Sequence, residues 1–260
     1  MLNIKNFTVL TTIILLFLLS ACLKQKTVEP DIIRIGVSGQ MPPYSYYDSK
    51  SNQVIGFDVD IANEIARRLN KKCQIHTLEF SRLIPAVISK QIDFGMGSMN
   101  IVEARQNVVN FTIPYNYSQG QFVAQKSEKE IKTIEDIKTF NIIVGMRNGT
   151  VYRTILSKEL GFKEDQLKTF PSQRDLSLAL QLNMVQVAIS DYAAMYHLKE
   201  KEGIDLKFIG KAVNKTPCGI TVHKNNEKLL QRLNKALTEI VEDGTYDHIA
   251  KKWFGLNPLN

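Results

Sequence analysis

Cysteine, histidine and tryptophan are scarce in this chain, numbering three, four and one among 260 residues. The histidines (His76, His197, His223 and His248) are scattered, and no grouping of cysteine with histidine has the spacing of a zinc site, which excludes a centre of that type. Cys73 and Cys218 lie too far apart to read as a disulfide framework. Both sit in or beside apolar segments, where a buried free thiol is the simpler expectation. A dinucleotide fingerprint is missing as well, because Gly145 and Gly149 have the wrong spacing for it, and no nucleophile–base pair stands out. No cofactor is therefore expected. The formal net charge of +7 is spread thinly along the chain. A nucleic-acid footprint would gather its lysines and arginines on one element, so no nucleic-acid partner is expected.

What is present begins at the N-terminus. Lys5 provides a short positive start, and Phe7 to Leu19 is an apolar run interrupted only by Thr8, Thr11 and Thr12. That run is short for a membrane span, which needs roughly 20 apolar residues, but it suits the core of an export signal. Leu19-Ser20-Ala21-Cys22 resembles a bacterial lipobox, in which Cys22 receives lipid and becomes the new N-terminus. Residues 1–21 are expected to be a signal peptide and residues 22–31 a polar tether. The mature chain is expected outside the cytoplasm, lipid-anchored to a bacterial membrane. Removing Lys5 with the signal lowers the net charge to about +6.

The remaining chain alternates short strands with short helices. Ile32 to Val37 reads as a strand and Val59 to Leu69 as a helix, with Asp58 as its N-cap. Cys73 to Leu78 is a strand, Arg82 to Lys90 a helix, and Ile92 to Met96 a strand opening into Gly97-Ser98. The pattern then repeats, with strands at 141–146, 167–170 and 185–190 and helices near 151–160, 174–182 and 192–202. Strands at 206–209 and 219–223 and helices at 229–241 and 246–252 finish the chain. Such short alternating units imply largely parallel sheets covered by helices. Two α/β blocks with a linking strand near Tyr117 to Gln125 follow, and ligands of such folds sit beyond the C-terminal ends of strands.

Several stretches carry a family resemblance. They are Pro42-Pro43-Tyr44, GFDVDIANEIARRL (56–69), EFSRLIPAVISKQIDFG (79–95), the MNIVEAR run (99–105) and FTIPYNYSQGQFV (111–123). Gly149-Thr150, VAISD (187–191), Gly219-Ile220 and EDGTYDHIAKKWFG (242–255) follow in the same order. Together they resemble the amino-acid-binding proteins of ABC importers, of the polar-amino-acid type, and within these the glutamine- and histidine-binding proteins. The resemblance implies a periplasmic-binding-protein-like fold: two α/β lobes joined by a two-strand hinge, with a ligand cleft between them. Lobe one would span 32–120 and 218–260, and lobe two 121–217. A monomer is expected, partnered by an amino acid and by the transmembrane permease of an ABC transporter.

The same resemblance, with the chemistry of an amino-acid zwitterion, singles out the site. Arg105 is expected to meet the ligand carboxylate with two parallel hydrogen bonds. Asp191, at the end of an apolar strand, is expected to meet the ammonium from the other lobe, so that the ligand latches the two together. Ser98 and Asn100 occupy loop positions that give acceptors to the ammonium and a backbone donor to the carboxylate; relatives often carry threonine or serine where Asn100 stands. Thr150 precedes a helix and can offer an amide to an anion. A second threonine often follows in relatives, whereas Val151 follows here. Tyr44 and Phe80 should wall the side-chain pocket, with Met41 where an aromatic residue is common.

Binders of basic amino acids in the family tend to carry an acid where Ser38 stands, and Arg82 and Arg147 near the cleft would repel a cationic side chain. The expected ligand is glutamine, with glutamate next and another neutral polar amino acid third. Two rival functions share the fold: an enzyme like the cyclohexadienyl dehydratases, for which Glu79 and Glu103 are nearby carboxylates without a diagnostic motif, and an amino-acid sensor without transport.

Overall fold

Ile32–Val37 forms the first strand, β1, because β-branched residues alternate there between two faces. A computed structural model describes residues 32–255. The export segment, Cys22, the tether and residues 256–260 lie outside the described residues. A three-stranded ribbon follows β1: β2 (Gln40–Met41), β3 (Ser45–Asp48) and β4 (Gln53–Ile55). Helix α1 (Phe57–Arg68) and strand β5 (Lys72–Thr77) come next. Helix α2 (Leu83–Ile88), entered through a 3-10 turn at Phe80–Arg82, leads to β6 (Phe94–Gly95). Helix α3 (Glu103–Gln106) and strand β7 (Val109–Phe111) complete this stretch.

The first five-stranded sheet has the order β5-β1-β6-β13-β7, where β13 is Thr221–His223 near the end of the chain. β5, β1 and β6 are parallel, while β13 runs antiparallel to β6 and β7. The sheet is thus mixed, because its last strand returns from the far side of the molecule. Helices α8 (Glu227–Glu242) and α9 (Thr245–Phe254) pack with α1 on one face. Ile35, Phe57, Ile65, Leu233 and Tyr246 form the core there, and Leu83, Val87 and Ile92 fill the other face.

The second sheet has the order β10-β9-β11-β8-β12. Its parallel centre is β9 (Val144–Arg147), β10 (Leu167–Phe170) and β11 (Val187–Asp191). Helices α4 (Ile134–Thr139), α5 (Tyr152–Thr154), α6 (Gln173–Gln181) and α7 (Tyr192–Glu200) connect and cover it, and α5 continues as a π-helical turn at Ile155–Glu159. Strands β8 (Asn116–Gln125) and β12 (Leu206–Cys218) are long and pair antiparallel from Asn116↔Cys218 to Leu206↔Gln125. They belong to the second sheet at one end and run into the first lobe at the other. Two α/β lobes joined by these two strands, with a cleft between them, is a periplasmic-binding-protein-like fold.

Three expectations need correction. Asp58 is not the N-cap of α1; Gly56 holds that position. The amides of Phe57 and Asp58 donate instead to the carbonyls of Pro43 and Tyr44, so the helix end needs no side-chain acceptor. Only glycine fits at 56, because its φ is 140° and a Cβ there would lie 2.2 Å from the Tyr44 carbonyl oxygen. Secondly, the strand expected at 206–209 runs on to Cys218, with register shifts after Ile209 and Val213. Gly210 and Asn214 have positive φ there, which breaks the alternation on which a strand reading depends. Thirdly, the strand expected at 92–96 shrinks to two paired residues.

Freed from capping, the Asp58 side chain turns inward, and its carboxylate accepts a 2.8 Å hydrogen bond from the Tyr115 hydroxyl. Burial pushes this carboxyl up from 3.8 to about 7, the Tyr115 hydrogen bond pulling partly against it. A carboxyl raised in the folded state takes up a proton on folding. Its contribution to stability is full below pH 3.8 and is lost as the pH rises through about 7. Replacing Asp58 with the neutral, isosteric Asn should therefore flatten part of the fall in melting temperature between pH 4 and 7. The variant should gain on the parent by on the order of 5 °C across that window in scanning calorimetry. Parallel curves for the two proteins would show that Asp58 does not titrate there.

Candidate functional site

The C-terminal ends of β6, β9 and β11 converge on one small cavity between the lobes. Phe80, Ser98 and Asn100 line it from the first lobe, and Arg147, Thr150 and Asp191 from the second. Its volume is about 20 Å³, room for little more than a water molecule. The lobes stand closed against each other at this point, where Arg105 reaches Gly149 across the cleft.

Asp191 ends β11 and is buried. Its carboxylate accepts from the hydroxyls of Tyr44 (3.0 Å) and Ser118 (2.7 Å) and from the amides of Ala193 (3.0 Å) and Ala194 (3.4 Å). It caps α7 and at the same time faces the cleft. All four of these donors are neutral. Burial pushes the carboxyl upward, and the bonds from Ser118 and Tyr44 hold it down.

Arg105 lies in α3 and only borders the cavity. Its guanidinium donates to the carbonyls of Asn100 (2.9 Å) and, across the cleft, Gly149 (2.8 Å). Its central carbon sits 5.6 Å from the centre of the Phe80 ring. Burial lowers this group to about 10, which leaves it a cation at neutral pH. Carbonyl oxygens of the protein thus take the donors expected to meet a ligand carboxylate.

The remaining expected residues divide. Ser98, with a φ of 50°, accepts through its hydroxyl from the Asn116 amide (2.9 Å), and its backbone N–H donates to the Tyr115 hydroxyl (3.1 Å). Asn100 turns its side-chain amide toward the Cys218 sulfur (3.7 Å). The Thr150 hydroxyl donates to the Arg147 carbonyl (2.8 Å), and the α-helical residues begin at Tyr152. Tyr44 packs its ring on Phe57 and Phe254 and reaches the site only through its hydroxyl. Cys73 and Cys218 are both free thiols.

Ser118, Tyr152 and Ser190 line the cavity but were not expected as site residues. Ser118 sits within the family-like run 111–123, and that placement was the one signal available for it. Ser38 turns its hydroxyl to Ser45 (3.2 Å).

A model of bacterial extracellular solute-binding proteins, family 3, matches residues 33–256. This chain belongs to that family. It is 33% identical to an arginine-binding periplasmic protein of Mannheimia haemolytica over 93% of this chain and 98% of that one. It is 31% identical to the histidine-binding periplasmic protein of Escherichia coli K12, covering 86% of this chain and 88% of the relative. Among solved structures, an ancestral arginine-binding protein bound to glutamine superposes with a TM-score of 0.79 at 33% identity, over 86% of this chain and 98% of that one. As a family 3 solute-binding protein the chain works outside the cytoplasm by binding and is not an enzyme, which sets aside the dehydratase alternative.

Gly149 marks where the lobes touch. A Cβ added there would stand 2.9 Å from the Ser81 Cβ of the opposite lobe, at a φ of 75°. Gly149→Ala should leave the far-ultraviolet circular dichroism unchanged yet weaken amino-acid binding roughly tenfold, since overpacking of this kind typically costs about 1–3 kcal/mol. An unchanged affinity would mean that the lobes do not meet at this point when a ligand is held.

Proposed function

We propose that this solute-binding protein captures a free polar L-amino acid between its lobes and delivers it to the transmembrane permease of an ABC importer. One observation carries the reading: Asp191 from the second lobe and Arg105 from the first face a shared cleft, where each is satisfied by neutral groups of the protein. A zwitterion supplies the opposite charge to both. Its carboxylate would replace the carbonyls on Arg105, and its ammonium would replace the Tyr44 hydroxyl on Asp191. Ser98, Asn100 and Thr150 line the space between and would complete the polar contacts, with Phe80 forming a wall and Tyr44 reaching in through its hydroxyl. Each exchange replaces a hydrogen bond between an ion and a neutral dipole with one between two opposite charges, which adds an ion-pair attraction. We assign residues 32–120 and 218–260 to lobe one and 121–217 to lobe two.

The identity of the side chain is a finer matter. The named relatives bind arginine or histidine, and on that ground a basic ligand has support. The ancestral protein held glutamine on a similar fold, which supports the neutral polar class. The cleft of this chain opposes a cationic side chain, because Arg147 is buried in it and Ser38 stands where an acid would be needed. Glutamine and glutamate are the ligands we propose.

Titration calorimetry of the purified chain against the twenty amino acids tests this reading. One site per monomer is expected, with micromolar or tighter affinity, or about −8 kcal/mol. Arg105→Ala should cost roughly 2–5 kcal/mol for every amino acid that binds, since all share the α-carboxylate. If no amino acid binds at about a millimolar, or Arg105→Ala changes nothing, the proposal is wrong.

We further propose that Cys22 carries the lipid that holds the protein to the membrane. Because a single acyl chain gives only marginal attachment, several chains on the modified cysteine are required. Cys22→Ser should release the protein from the membrane fraction while leaving ligand affinity intact. Retention of the serine variant through a high-salt wash, which would strip electrostatic attachment, would instead point to an uncleaved apolar anchor.

A further inference from the structure

Arg147 ends β9 with its side chain pointing into the cleft, only 5% exposed. Its guanidinium carbon sits over Phe80, 4.2 Å from the ring centre, on the ring that Arg105 also approaches. Its Nε and Nη1 atoms are buried and have no hydrogen-bond partner. That is a costly arrangement. A buried cation with unsatisfied donors loses its hydration and recovers only part of it from the Phe80 ring.

Charge counting sharpens the point. The cavity and its border hold two guanidiniums, Arg105 and Arg147, and one carboxylate, Asp191. An amino acid's α-carboxylate and α-ammonium cancel each other, so a neutral side chain would bring no charge to answer the unpartnered donors of Arg147. Asp58 is the other buried acid nearby, but its carboxylate accepts from Tyr115 and it does not line the cavity. A cationic side chain would add a second repulsion. A neutral amide offers one acceptor, and its N–H groups would face a guanidinium that can accept nothing. A side-chain carboxylate brings two acceptor oxygens and the missing charge.

We propose that Arg147 reads the ligand's side chain and that the protein selects an amino acid whose side chain carries a carboxylate, glutamate or aspartate. This rests on the amino-acid-binding reading above and reverses the glutamine-first order drawn from the sequence. The driving observation is an orphaned cation in the cleft, a feature that composition and motif order do not reveal.

Calorimetry of the full chain in detergent, with L-glutamate, L-aspartate, L-glutamine and L-arginine, is the test. One of the two acidic amino acids should bind at least about tenfold more tightly than glutamine and arginine. Arg147→Gln should weaken that ligand by at least about 30-fold and so erase its advantage over glutamine; Arg147→Lys, which keeps the charge, should retain the acidic preference. Glutamine or arginine binding the unaltered chain as tightly as the acidic pair would overturn this assignment and leave the amino-acid reading standing. So would an equal loss of all ligands in Arg147→Gln. Failure of the unaltered chain to bind any of the twenty amino acids would remove both. The comparison on the unaltered chain stands whether or not the variants fold.

Discussion

Asp191 and Arg147 are held out of water between two lobes with Arg105 half-buried beside them, and neutral groups supply what hydrogen bonding the three side chains have. Asp191 is bound by hydroxyls and amides, Arg105 by carbonyls, and Arg147 keeps two bare donors. Desolvating charge is expensive, and partial satisfaction by dipoles recovers only part of it. The closed cleft is consequently a place where an incoming molecule of matching charge gains more than it would in water. Much of the surrounding architecture serves to set this up. Parallel strands bring their C-terminal ends to one point, helix α7 begins on Asp191, and a glycine at 149 lets the lobes meet.

The two sheets contribute unlike parts of that arrangement. Asp191 and Arg147 project from ends of adjacent central strands, β11 and β9, so they are placed by the most deeply buried segments of the second lobe. Arg105 comes from a four-residue helix on a loop, tied down by its own bonds to Asn100 and Gly149. The rigid lobe therefore presents one charge of each sign, and the looser element supplies the second cation. An element of low intrinsic stability is suited to a contact that must break and reform as the ligand arrives.

Much of the fold was legible because apolar periodicity is a local property. β1 and β10 fall at the residues expected, and α1 and α8 lie within two or three residues of expectation. The small ribbon β2-β3-β4 was not legible, since its strands are only two to four residues long. The second half of β12 was hidden by a run of polar residues with two positive φ values. At the site, Asp191 and Arg105 were readable through ordered motifs. The orphaned state of Arg147 was not, because it depends on which partners three-dimensional packing denies to a side chain. The expected capping role of Asp58 failed for a related reason. Carbonyls from a loop fourteen residues upstream satisfy the helix end, and no local pattern announces them.

The pairing of β8 with β12 sets how the molecule can move. The ladder is continuous where both strands lie in the second sheet and irregular where they leave it, between Ile209 and Thr216. Two strands side by side cannot twist or shear independently as a single flexible tether would. Bending at the irregular stretch leaves essentially one rotation, like the turning of a page about its spine. Opening and closing then explore very few conformations, and the entropy surrendered when the cleft shuts on its cargo is correspondingly small.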